Sequence, residues 1–393
     1  MGLGYRPVPS APPHSPGGRS LVVVPFLDED PELVLQTLAI AAGHPRVGEV
    51  VGVSGSHVPT HQLVEAGLGA VSGAPTRVVQ QIRIGTRRPG KGDAVNTGFR
   101  FFLEETELDR IHFYDADIKT FGAGWIDRAE AAADLGFQAV RHYYPRAATD
   151  AMITWMVTRP GFGLLWPRSE LPRIAQPLSG ELMFDRSAAA DLAADPVVRD
   201  QSDWGIDTVL TGATVHHGLS IYECYNSEGK DHTLYGRLTD IKMMMVECLA
   251  ALQTLRVGSP QAVVHRVEDP HEVSPAIIEQ LAYDIEGTQK LLADDWSPRQ
   301  ERLLADHFVP AIAAGAVNWE LWPDTSFMTE EVWFSALRSL INEFVLGDDD
   351  WEALAFRLWV GRVLHYTFTV AVRGHNYSLA YLNDMVLRST NPR

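Results

Sequence analysis

The chain has little cysteine, only Cys224 and Cys248 among 393 residues. The two form neither a CxxC pair nor a spacing typical of zinc ligands, which argues against a disulfide framework and a structural zinc site. We expect both to be buried thiols, as in a protein of the reducing cytoplasm.

Long apolar runs are also missing. No segment approaches the roughly 20 uninterrupted apolar residues that a membrane helix needs. Residues 1–19 are rich in Pro, Gly and Ser and contain no apolar stretch of a secretory signal. We therefore expect a flexible leader at 1–19 and no membrane anchor.

Positive charge is in short supply, because 33 Lys and Arg face 50 Asp and Glu, giving a formal net charge of -17. Such an acidic chain is not expected to wrap around nucleic acid or an anionic membrane. The hydrophobic share of 46% is ordinary for a globular protein and predicts a sizeable core. The length is comfortable for two domains.

Strand and helix signals alternate in the first half of the chain. The expected strands are 20–26, 49–54, 76–84 and 110–114, with helices at 31–44 and 91–105. This alternation predicts an α/β fold built on a mainly parallel, Rossmann-like sheet. Ligands of such sheets bind outside the carboxyl ends of the strands.

After about residue 240 the strand signals stop and helical periodicity takes over. The expected helices are 240–256, 273–293, 298–314, 328–346 and 350–372. Six of the ten tryptophans lie in this part, where an aromatic stripe indicates a core or a subunit interface. We expect an α/β domain at 20–239, an all-helical domain at 240–393, and a dimer or tetramer.

The segment IHFYDADI (111–118) places Asp115 and Asp117 one residue apart at the end of a predicted strand. Two such carboxylates would share a divalent cation such as Mn²⁺ or Mg²⁺, with a diphosphate supplying further oxygen ligands. A turn whose aspartates cap backbone groups is the other interpretation. Phosphohydrolases of the haloacid dehalogenase type use a similar pair, but they have Thr or Val where this chain has Lys119.

A basic cluster lies in GTRRPGKGDAVN (85–96) and just before it. Its members are Arg83, Arg87, Arg88 and Lys91. The helix that follows favours anions at its N-terminus, so the cluster indicates either a phosphate cradle or a solvated basic turn. The segment resembles a P-loop but has Gly92 where Ser or Thr must meet magnesium, and Pro89 removes an amide. A P-loop NTPase is therefore not expected.

Two further segments carry candidate binding residues. In SDWGIDT (202–208), Asp203, Trp204 and Asp207 would grip a sugar, unless Ser202 or Asp203 only caps a helix. His232 lies in the polar loop EGKDHTLYG (228–236), where a metal-ligand role is open. Arg146 ends a predicted strand before a helix starting near 149–150, where it would hold a carboxylate by two parallel bonds or form a structural ion pair.

Together these segments resemble the mannosylglycerate synthase family, retaining glycosyltransferases with the A-type nucleotide-sugar fold. The resemblance covers nearly everything after residue 19. It is carried by LVVVPF, AAGHPRVGEV, RPGKGD, FFLEET, RIHFYDADI, VRHYYPRAATDAMITWM, SDWGIDT, SIYEC, EGKDHTLYG and HYTFTVAVRGHNY. It implies a hexosyltransferase that moves mannose from GDP-mannose to D-glycerate. The product would be α-mannosylglycerate, a compatible solute or osmolyte.

The resemblance also implies roles by position. The implied metal ligands are Asp117 and His232, and the implied nucleotide-binding residues are Pro25, Phe26, Glu29, Val53, Gln81, Lys91 and Asp115. The implied sugar-binding residues are Leu178, Asp207 and Tyr235. Trp204 is a further candidate, which comes from the segment 202–208 and not from the resemblance. The acceptor would contact Arg146, Ala151, Met152, Ile153 and Thr154. The chain departs from the family at Leu27, where a basic residue is usual, and at Ser179, where Gly is expected.

In this hypothesis Lys91, Asp115 and Asp207 are the catalytic residues. Lys91 and the metal would stabilise charge on the departing diphosphate. No carboxylate nucleophile stands out, so we expect a front-face route in which leaving group and acceptor share one side. Glucose as the sugar and lactate or glycolate as the acceptor stay open. Two hypotheses from other functional classes are also kept: a metal-dependent nucleotide or phosphate hydrolase, and a sugar-binding module without catalytic activity.

Overall fold

The computed structural model describes residues 18–55, 59–231, 237–255, 263–266, 273–320 and 324–391. Its centre is an eight-stranded sheet with the order β3-β2-β1-β4-β6-β5-β7-β8. The strands are β1 (Ser20–Phe26), β2 (Val47–Ser54), β3 (Thr76–Gln80), β4 (Arg110–Phe113), β5 (Ala139–Tyr143), β6 (Leu182–Asp185), β7 (Ile221–Tyr225) and β8 (Val264–Arg266). All neighbours pair in parallel except β6, which runs antiparallel to β4 and β5.

Helices cover the sheet and form the second half of the chain. In the first half they are α1 (Pro31–Ala42), α2 (Pro59–Gly67), α3 (Lys91–Glu105), α4 (Ala123–Asp134), α5 (Arg159–Leu165), α6 (Arg186–Ala194), α7 (Pro196–Asp200) and α8 (Ile206–His216). They continue with α9 (Lys242–Thr254), α10 (Pro275–Ile278), α11 (Ile285–Leu292), α12 (Pro298–His307), α13 (Pro310–Val317), α14 (Glu330–Glu343), α15 (Asp349–Thr369) and α16 (His375–Ser389).

Strand β3 ends four residues earlier than the sequence predicts, at Gln80 instead of 84. Beyond it the backbone turns away from β2 and donates to side chains of α3. The amide of Ile82 bonds Thr97 Oγ1 at 2.9 Å, and the amide of Ile84 bonds Asp93 Oδ1 at 3.0 Å. The apolar residues after Gln80 therefore belong to a connection that fastens the start of α3.

The antiparallel strand β6 places a loop at the functional edge of the sheet. Leu182, at its N-terminal end, pairs with Phe113 at the carboxyl end of β4. The residues that precede Leu182 consequently lie beside those that follow Phe113. Alternating sequence signals predict only parallel neighbours, so this reversal was not anticipated.

The second half is helical as expected, with one exception. Val264–Arg266 forms β8 and extends the sheet beside β7, so the expectation that strands stop near 240 is wrong. Three residues carry too little periodicity to indicate a strand.

Two of the expected long helices are each broken into two. In the expected helix at 273–293, Asp284 caps α11 by accepting from the amides of Glu286 and Gly287. In the expected helix at 298–314, Pro310 starts α13 and ends the preceding turn.

One buried apolar cluster joins the sheet to the C-terminal helices. It includes Leu21 of β1, Met156, Trp333 of α14 and Leu382 of α16. Cys224 and Cys248 are free and buried, as predicted. No helix in the described part of the chain has the length and apolar character to cross a membrane.

Candidate active site

Three elements bring charged side chains together at the carboxyl edge of the sheet. Asp115 follows β4, Lys91 is the first residue of α3, and Asp207 lies in the first turn of α8. Lys91 Nζ is 2.9 Å from Asp115 Oδ1 and 3.1 Å from Asp207 Oδ2. The three residues expected to be catalytic therefore form one connected ion-pair cluster.

A second ammonium group and a further carboxylate complete this cluster. Lys230 Nζ lies 2.8 Å from Asp115 Oδ2 and 2.7 Å from Glu181 Oε1. Glu181 is fully buried and also accepts from Ser179 Oγ at 2.5 Å. Each oxygen of Asp115 thus faces a different lysine.

Opposite charges stabilise the ionised states of Lys91 and Asp115, whereas burial opposes ionisation of Asp207. Burial alone would lower the pKa of Lys91, but the carboxylates of Asp115 and Asp207 raise it above its ordinary value. Burial opposes ionisation of Asp115, yet Lys230 and Lys91 hold its pKa well below the usual range. Burial raises the pKa of Asp207, and Lys91 offsets part of that effect. The cluster is a set of preorganised charges on the protein side of a ligand site.

Gly180 makes the close approach of these groups possible. A Cβ atom at this position would lie 2.5 Å from Asp115 Oδ1 and 2.5 Å from Lys91 Nζ. Any side chain here would push the carboxylate and the ammonium apart. The absence of a side chain at Gly180 is therefore part of the geometry of the cluster.

Asp117 differs from Asp115 in its surroundings. It is half-buried, and in the described part of the chain its carboxylate makes no hydrogen bond or ion pair. Glu29 lies near it: burial raises the pKa of Glu29, and repulsion from Asp117 adds to the increase. The expected metal ligand His232 and sugar contact Tyr235 lie outside the described residues. Among the residues described, no three His, Cys, Asp or Glu side chains gather as a metal site.

Only part of the predicted basic cluster faces this site. Arg83 Nη1 pairs with Asp93 Oδ2 at 2.6 Å, and Arg88 Nε pairs with Glu247 Oε1 at 2.6 Å. These ion pairs fasten the loop to α3 and α9, and a phosphate cradle made of all four basic residues stays a prediction. Lys91 is the member of the cluster that reaches Asp115.

The segment before α8 holds the residues that are predicted to bind the sugar. The capping interpretation of Ser202 or Asp203 is wrong, because Gly205 is the N-cap of α8 and donates to Asp203 Oδ1 at 2.8 Å. The half-buried ring of Trp204 lies 5.7 Å from Lys91 Nζ, within the range of a cation–π contact.

The predicted nucleotide residues gather at the ends of the first three strands. Pro25 of β1 pairs with Val53 of β2, and Phe26 is the last residue of β1. The amide of Gln81 donates to Ser54 O at 2.9 Å just after β3. These positions lie at the same edge of the sheet as Asp115, which follows β4, the neighbour of β1.

Arg146 stands three residues beyond β5 and has two side-chain partners. Its Nη1 donates to Asp150 Oδ2 at 2.6 Å, and its Nη2 donates to Tyr144 Oη at 2.8 Å. Burial would lower the pKa of Arg146, but attraction to Tyr144 and Asp150 raises it. The Nε–H group is buried without a partner in the described structure, so part of the guanidinium is free for a ligand.

The predicted acceptor segment has an irregular backbone. Ala151 has a left-handed conformation at φ 56°, which is uncommon for a residue with a side chain. Met152 is the first helical residue, two to three positions later than expected, and a π-helical turn follows at Thr154–Thr158. Single π turns are frequent at functional sites. Met152, Ile153 and Thr154 are buried, so contacts with a ligand there depend on the backbone and on Thr154.

Sequence reasoning missed several charged or polar residues of this site. Glu181 and Tyr144 connect the cluster around Asp115 with Arg146. Tyr144 Oη donates to Glu181 Oε2 at 3.4 Å and accepts from Arg146 Nη2. Lys230 lies in the loop 228–236, from which only His232 and Tyr235 were predicted as site residues. Arg141 is buried on β5 and donates to Pro177 O at 3.3 Å, beside the predicted sugar contact Leu178. A charged residue next to Gly180 and inside an otherwise apolar stretch was the available signal for Glu181.

Charged groups at the carboxyl edge of a mostly parallel sheet suit the binding of an anionic ligand, and the match to a family of glycosyltransferase domains gives the class of the protein. Residues 20–254 match the family "Mannosylglycerate synthase, GT domain", and residues 277–386 match "Mannosylglycerate synthase C-terminal domain". The chain belongs to the mannosylglycerate synthase family.

Two relatives agree with this assignment. A mannosylglycerate synthase from Rhodothermus marinus is 51% identical over 375 residues, which cover 94% of this chain and 94% of the relative. One from Selaginella moellendorffii is 46% identical over 376 residues, or 93% of this chain and 88% of the relative. The predictions of the family and of a hexosyltransferase are confirmed.

Among solved structures, glucosyl-3-phosphoglycerate synthase from Mycobacterium tuberculosis with Mn²⁺, uridine diphosphate and glucosyl-3-phosphoglycerate has a TM-score of 0.49 and 21% identity. The alignment covers 61% of this chain and 80% of that chain. The predicted fold class, an A-type glycosyltransferase sheet followed by a helical region, is confirmed by the eight-stranded sheet and by the matched domain.

Proposed function

We propose that the chain transfers mannose from GDP-mannose to D-glycerate with retention of configuration, giving α-mannosylglycerate. The observation that carries the proposal is the pairing of a charged cluster at Lys91, Asp115 and Asp207 with a separate guanidinium at Arg146. The first suits a diphosphate and a sugar, and the second suits a small carboxylate. Two relatives named mannosylglycerate synthase, at 51% and 46% identity, support the choice of substrates.

On the donor side, the nucleoside would lie against Pro25, Phe26, Glu29, Val53 and Gln81. Leu27 is half-exposed beside these residues and offers no charge to the nucleobase. The diphosphate would lie at Lys91 and Asp115, and the mannose at Leu178, Trp204, Asp207 and Tyr235. The buried second oxygen of Asp207, which has no partner in the described structure, supports a bond from a sugar hydroxyl.

We propose that Asp117 and His232 hold a divalent cation, Mn²⁺ or Mg²⁺. The carboxylate of Asp117 is the donor type that hard cations prefer, and it is engaged by no other described side chain. The oxygens of Asp115, in contrast, are both engaged by lysines. When bound, the cation would supply positive charge to the diphosphate.

On the acceptor side, Arg146 would hold the carboxylate of D-glycerate. Its free Nε–H group and its short bond to Asp150 support this role, because the aspartate holds the guanidinium in one orientation. Ala151, Met152, Ile153 and Thr154 would surround the glycerate hydroxyls. Lactate lacks the terminal hydroxyl group of glycerate and glycolate lacks its hydroxymethyl group, so this segment and not Arg146 would discriminate among small acids.

The proposed reaction follows a front-face route. The bond from the anomeric carbon to the diphosphate oxygen breaks, and the bond to the glycerate hydroxyl oxygen forms on the same face. The hydroxyl proton passes to the departing phosphate oxygen, while Lys91 Nζ donates to the diphosphate. Asp207, held by Lys91 at 3.1 Å, orients the sugar. Trapping a covalent mannosyl adduct on the protein would overturn this route.

The proposal is tested by incubation with D-glycerate and either GDP-mannose or UDP-glucose, with Mn²⁺ or with a chelator, followed by NMR of the product. We expect α-mannosylglycerate from GDP-mannose and loss of activity with the chelator. A glucosyl product would correct the donor, and phosphate release without acceptor would indicate a hydrolase. No glycoside with either donor would overturn the proposed function.

Arg146→Ala isolates the acceptor step. Loss of a charge-assisted bond to the carboxylate is expected to raise the KM for D-glycerate by about 10- to 100-fold. The KM for GDP-mannose is expected to stay within about twofold. Arg100→Ala, which removes an exposed guanidinium paired with Glu104 on α3, is the control. Equal changes in the two KM values of Arg146→Ala would remove Arg146 from the acceptor site.

Two free buried thiols support a cytoplasmic location, where cysteines stay reduced. An α-linked sugar acid accumulating there would act as a compatible solute. Size-exclusion chromatography with light scattering tests the predicted dimer or tetramer.

A further inference from the structure

The C-terminal helices reach the acceptor segment through hydrogen bonds to its backbone. Three carbonyl groups spaced four residues apart each accept from an aromatic side chain of α14 or α15. The bonds run from Tyr366 Oη to Ala148 O (2.7 Å), from Trp359 Nε1 to Met152 O (3.4 Å) and from Trp333 Nε1 to Met156 O (2.7 Å). The donors are all fully buried.

The backbone of this segment is irregular, so its position depends on such bonds. It changes from a turn at Ala147–Asp150 to the left-handed Ala151 and then to the π-helical turn at Thr154–Thr158. Of the three carbonyl groups, that of Ala148 lies outside regular secondary structure, where a buried carbonyl group needs a hydrogen-bond partner from elsewhere in the fold. The helical half supplies these partners to a segment that belongs to the sheet half.

Among the three donors, Tyr366 binds the carbonyl group that is nearest in sequence to Arg146. Its hydroxyl group binds the carbonyl of Ala148, which is two residues from Arg146 and two from Asp150. Arg146 and Asp150 close the same turn through their 2.6 Å ion pair. A change in the Ala148 peptide therefore moves the group that orients the guanidinium.

We propose that Tyr366 is a positioning residue for the acceptor: its hydrogen bond to Ala148 O fixes the turn that carries Arg146 and Asp150. The inference rests on the proposed function, because it assigns this turn to D-glycerate. Trp359 lies seven residues before Tyr366, two helical turns away on the same side of α15, and fixes the next part of the segment at Met152. The C-terminal helices thus contribute to acceptor recognition without touching the acceptor.

Tyr366→Phe tests the inference, because it removes one hydroxyl group and keeps the ring. The Ala148 carbonyl loses its partner and the turn is free to shift. We expect the KM and the Kd for D-glycerate, the latter from titration calorimetry, to rise about tenfold. The KM for GDP-mannose is expected to stay within about twofold, because the donor residues lie on other elements.

Tyr283→Phe is the matched control. It deletes the same group from a buried tyrosine whose hydroxyl bonds Thr367 Oγ1 on α15 and no backbone carbonyl of the acceptor segment. A role in stability alone would lower the melting temperature in both variants and leave the ratio of the two KM values unchanged. Trp359→Phe is a second variant, expected to raise the KM for D-glycerate while sparing that for GDP-mannose.

The outcomes separate the inference from the proposed function. No glycoside from the unmodified protein would overturn the proposed function and, with it, the acceptor role of Tyr366. Glycoside formation with equal acceptor KM values in the unmodified protein, Tyr366→Phe and Trp359→Phe would overturn the inference alone. Equal rises in Tyr366→Phe and Tyr283→Phe would also overturn it. A rise confined to Tyr366→Phe and Trp359→Phe supports it.

Discussion

Gly180 is a residue whose smallness has a direct chemical consequence. In Gly180→Ala the new methyl group would meet Asp115 Oδ1 and Lys91 Nζ at 2.5 Å each, so one of the two must move. We expect kcat to fall about tenfold or more, which corresponds to about 1.4 kcal/mol of lost transition-state stabilisation. Steady-state kinetics with both substrates gives the measurement.

The control for this variant is Gly122→Ala. A Cβ atom there meets nothing within 4 Å, and its backbone is extended, so activity is expected to stay near that of the unmodified protein. If Gly180→Ala keeps full kcat, the close contact among Gly180, Lys91 and Asp115 is not required for the reaction.

Single residues of the site differ in how far the sequence predicts them. Asp115 and Lys91 stand out because a carboxylate after a strand and a lysine at a helix start have a local chemical meaning. Glu181 and Lys230 acquire meaning only by meeting each other at 2.7 Å, across 49 positions of the chain. That meeting depends on the reversed direction of one strand, which no local pattern encodes.

At the scale of elements, local patterns work where an element is determined by its own residues. Helix α3 spans Lys91–Glu105 as predicted. The features that define it are its amphipathic periodicity and the extended Thr106 after its last residue, and both belong to the segment itself. Strand β3 is shorter than predicted because Asp93 and Thr97, on another element, take its last amides. Strand β6 was not predicted at all, since its three apolar residues before Asp185 fit a helix as well as a strand.

One buried carboxylate, Glu130 of α4, ties its helix to two strands. It accepts from Ser20 Oγ of β1, from His112 Nε2 of β4 at 3.0 Å and from Arg110 of β4. Burial would raise the pKa of Glu130, but the bonds from His112 and Ser20 and the charge of Arg110 lower it to about 2. The carboxylate is therefore bound more favourably in the folded chain than in the unfolded one.

Glu130→Gln is expected to destabilise the protein in a pH-dependent way. Because the folded pKa is below the unfolded value, the stabilisation is complete above about pH 4.5 and declines as the pH falls toward 2. The two pKa values correspond to about 3 kcal/mol at pH 7, with roughly half of that left at pH 3. Urea unfolding of both proteins at pH 7, 4 and 3 measures the difference.

The control for this element is Glu104→Gln, which breaks an exposed pair with Arg100 on α3. Its effect is expected to be about 0.5 kcal/mol or less. A difference between Glu130→Gln and the unmodified protein that is the same at pH 7 and pH 3 would contradict the role given to the Glu130 carboxylate.

At the scale of the whole molecule, the two halves share their interior. The sequence predicts two domains with a boundary near 239–240, and that boundary stays a prediction. The buried cluster nevertheless runs without a break from β1 to α16, and Trp333 of α14 bonds Met156 O in the sheet half. Such an interface is unlike the separable contact between domains that move independently. The same interior contains the hydrogen bonds by which we propose that the helical half positions the acceptor segment.

A shared core predicts one cooperative unfolding transition for the full chain. The helical half is followed by hydrogen exchange of the amides of α14 and α15, and the sheet half by hydrogen exchange of its strand amides. We expect these transitions to coincide in urea, because exposing Trp333 and Trp359 also exposes the segment beneath them. Trp333→Phe is expected to shift all of them together to lower urea. Exchange of the α14 and α15 amides at clearly lower urea than that of the strand amides would show that the helical half unfolds by itself.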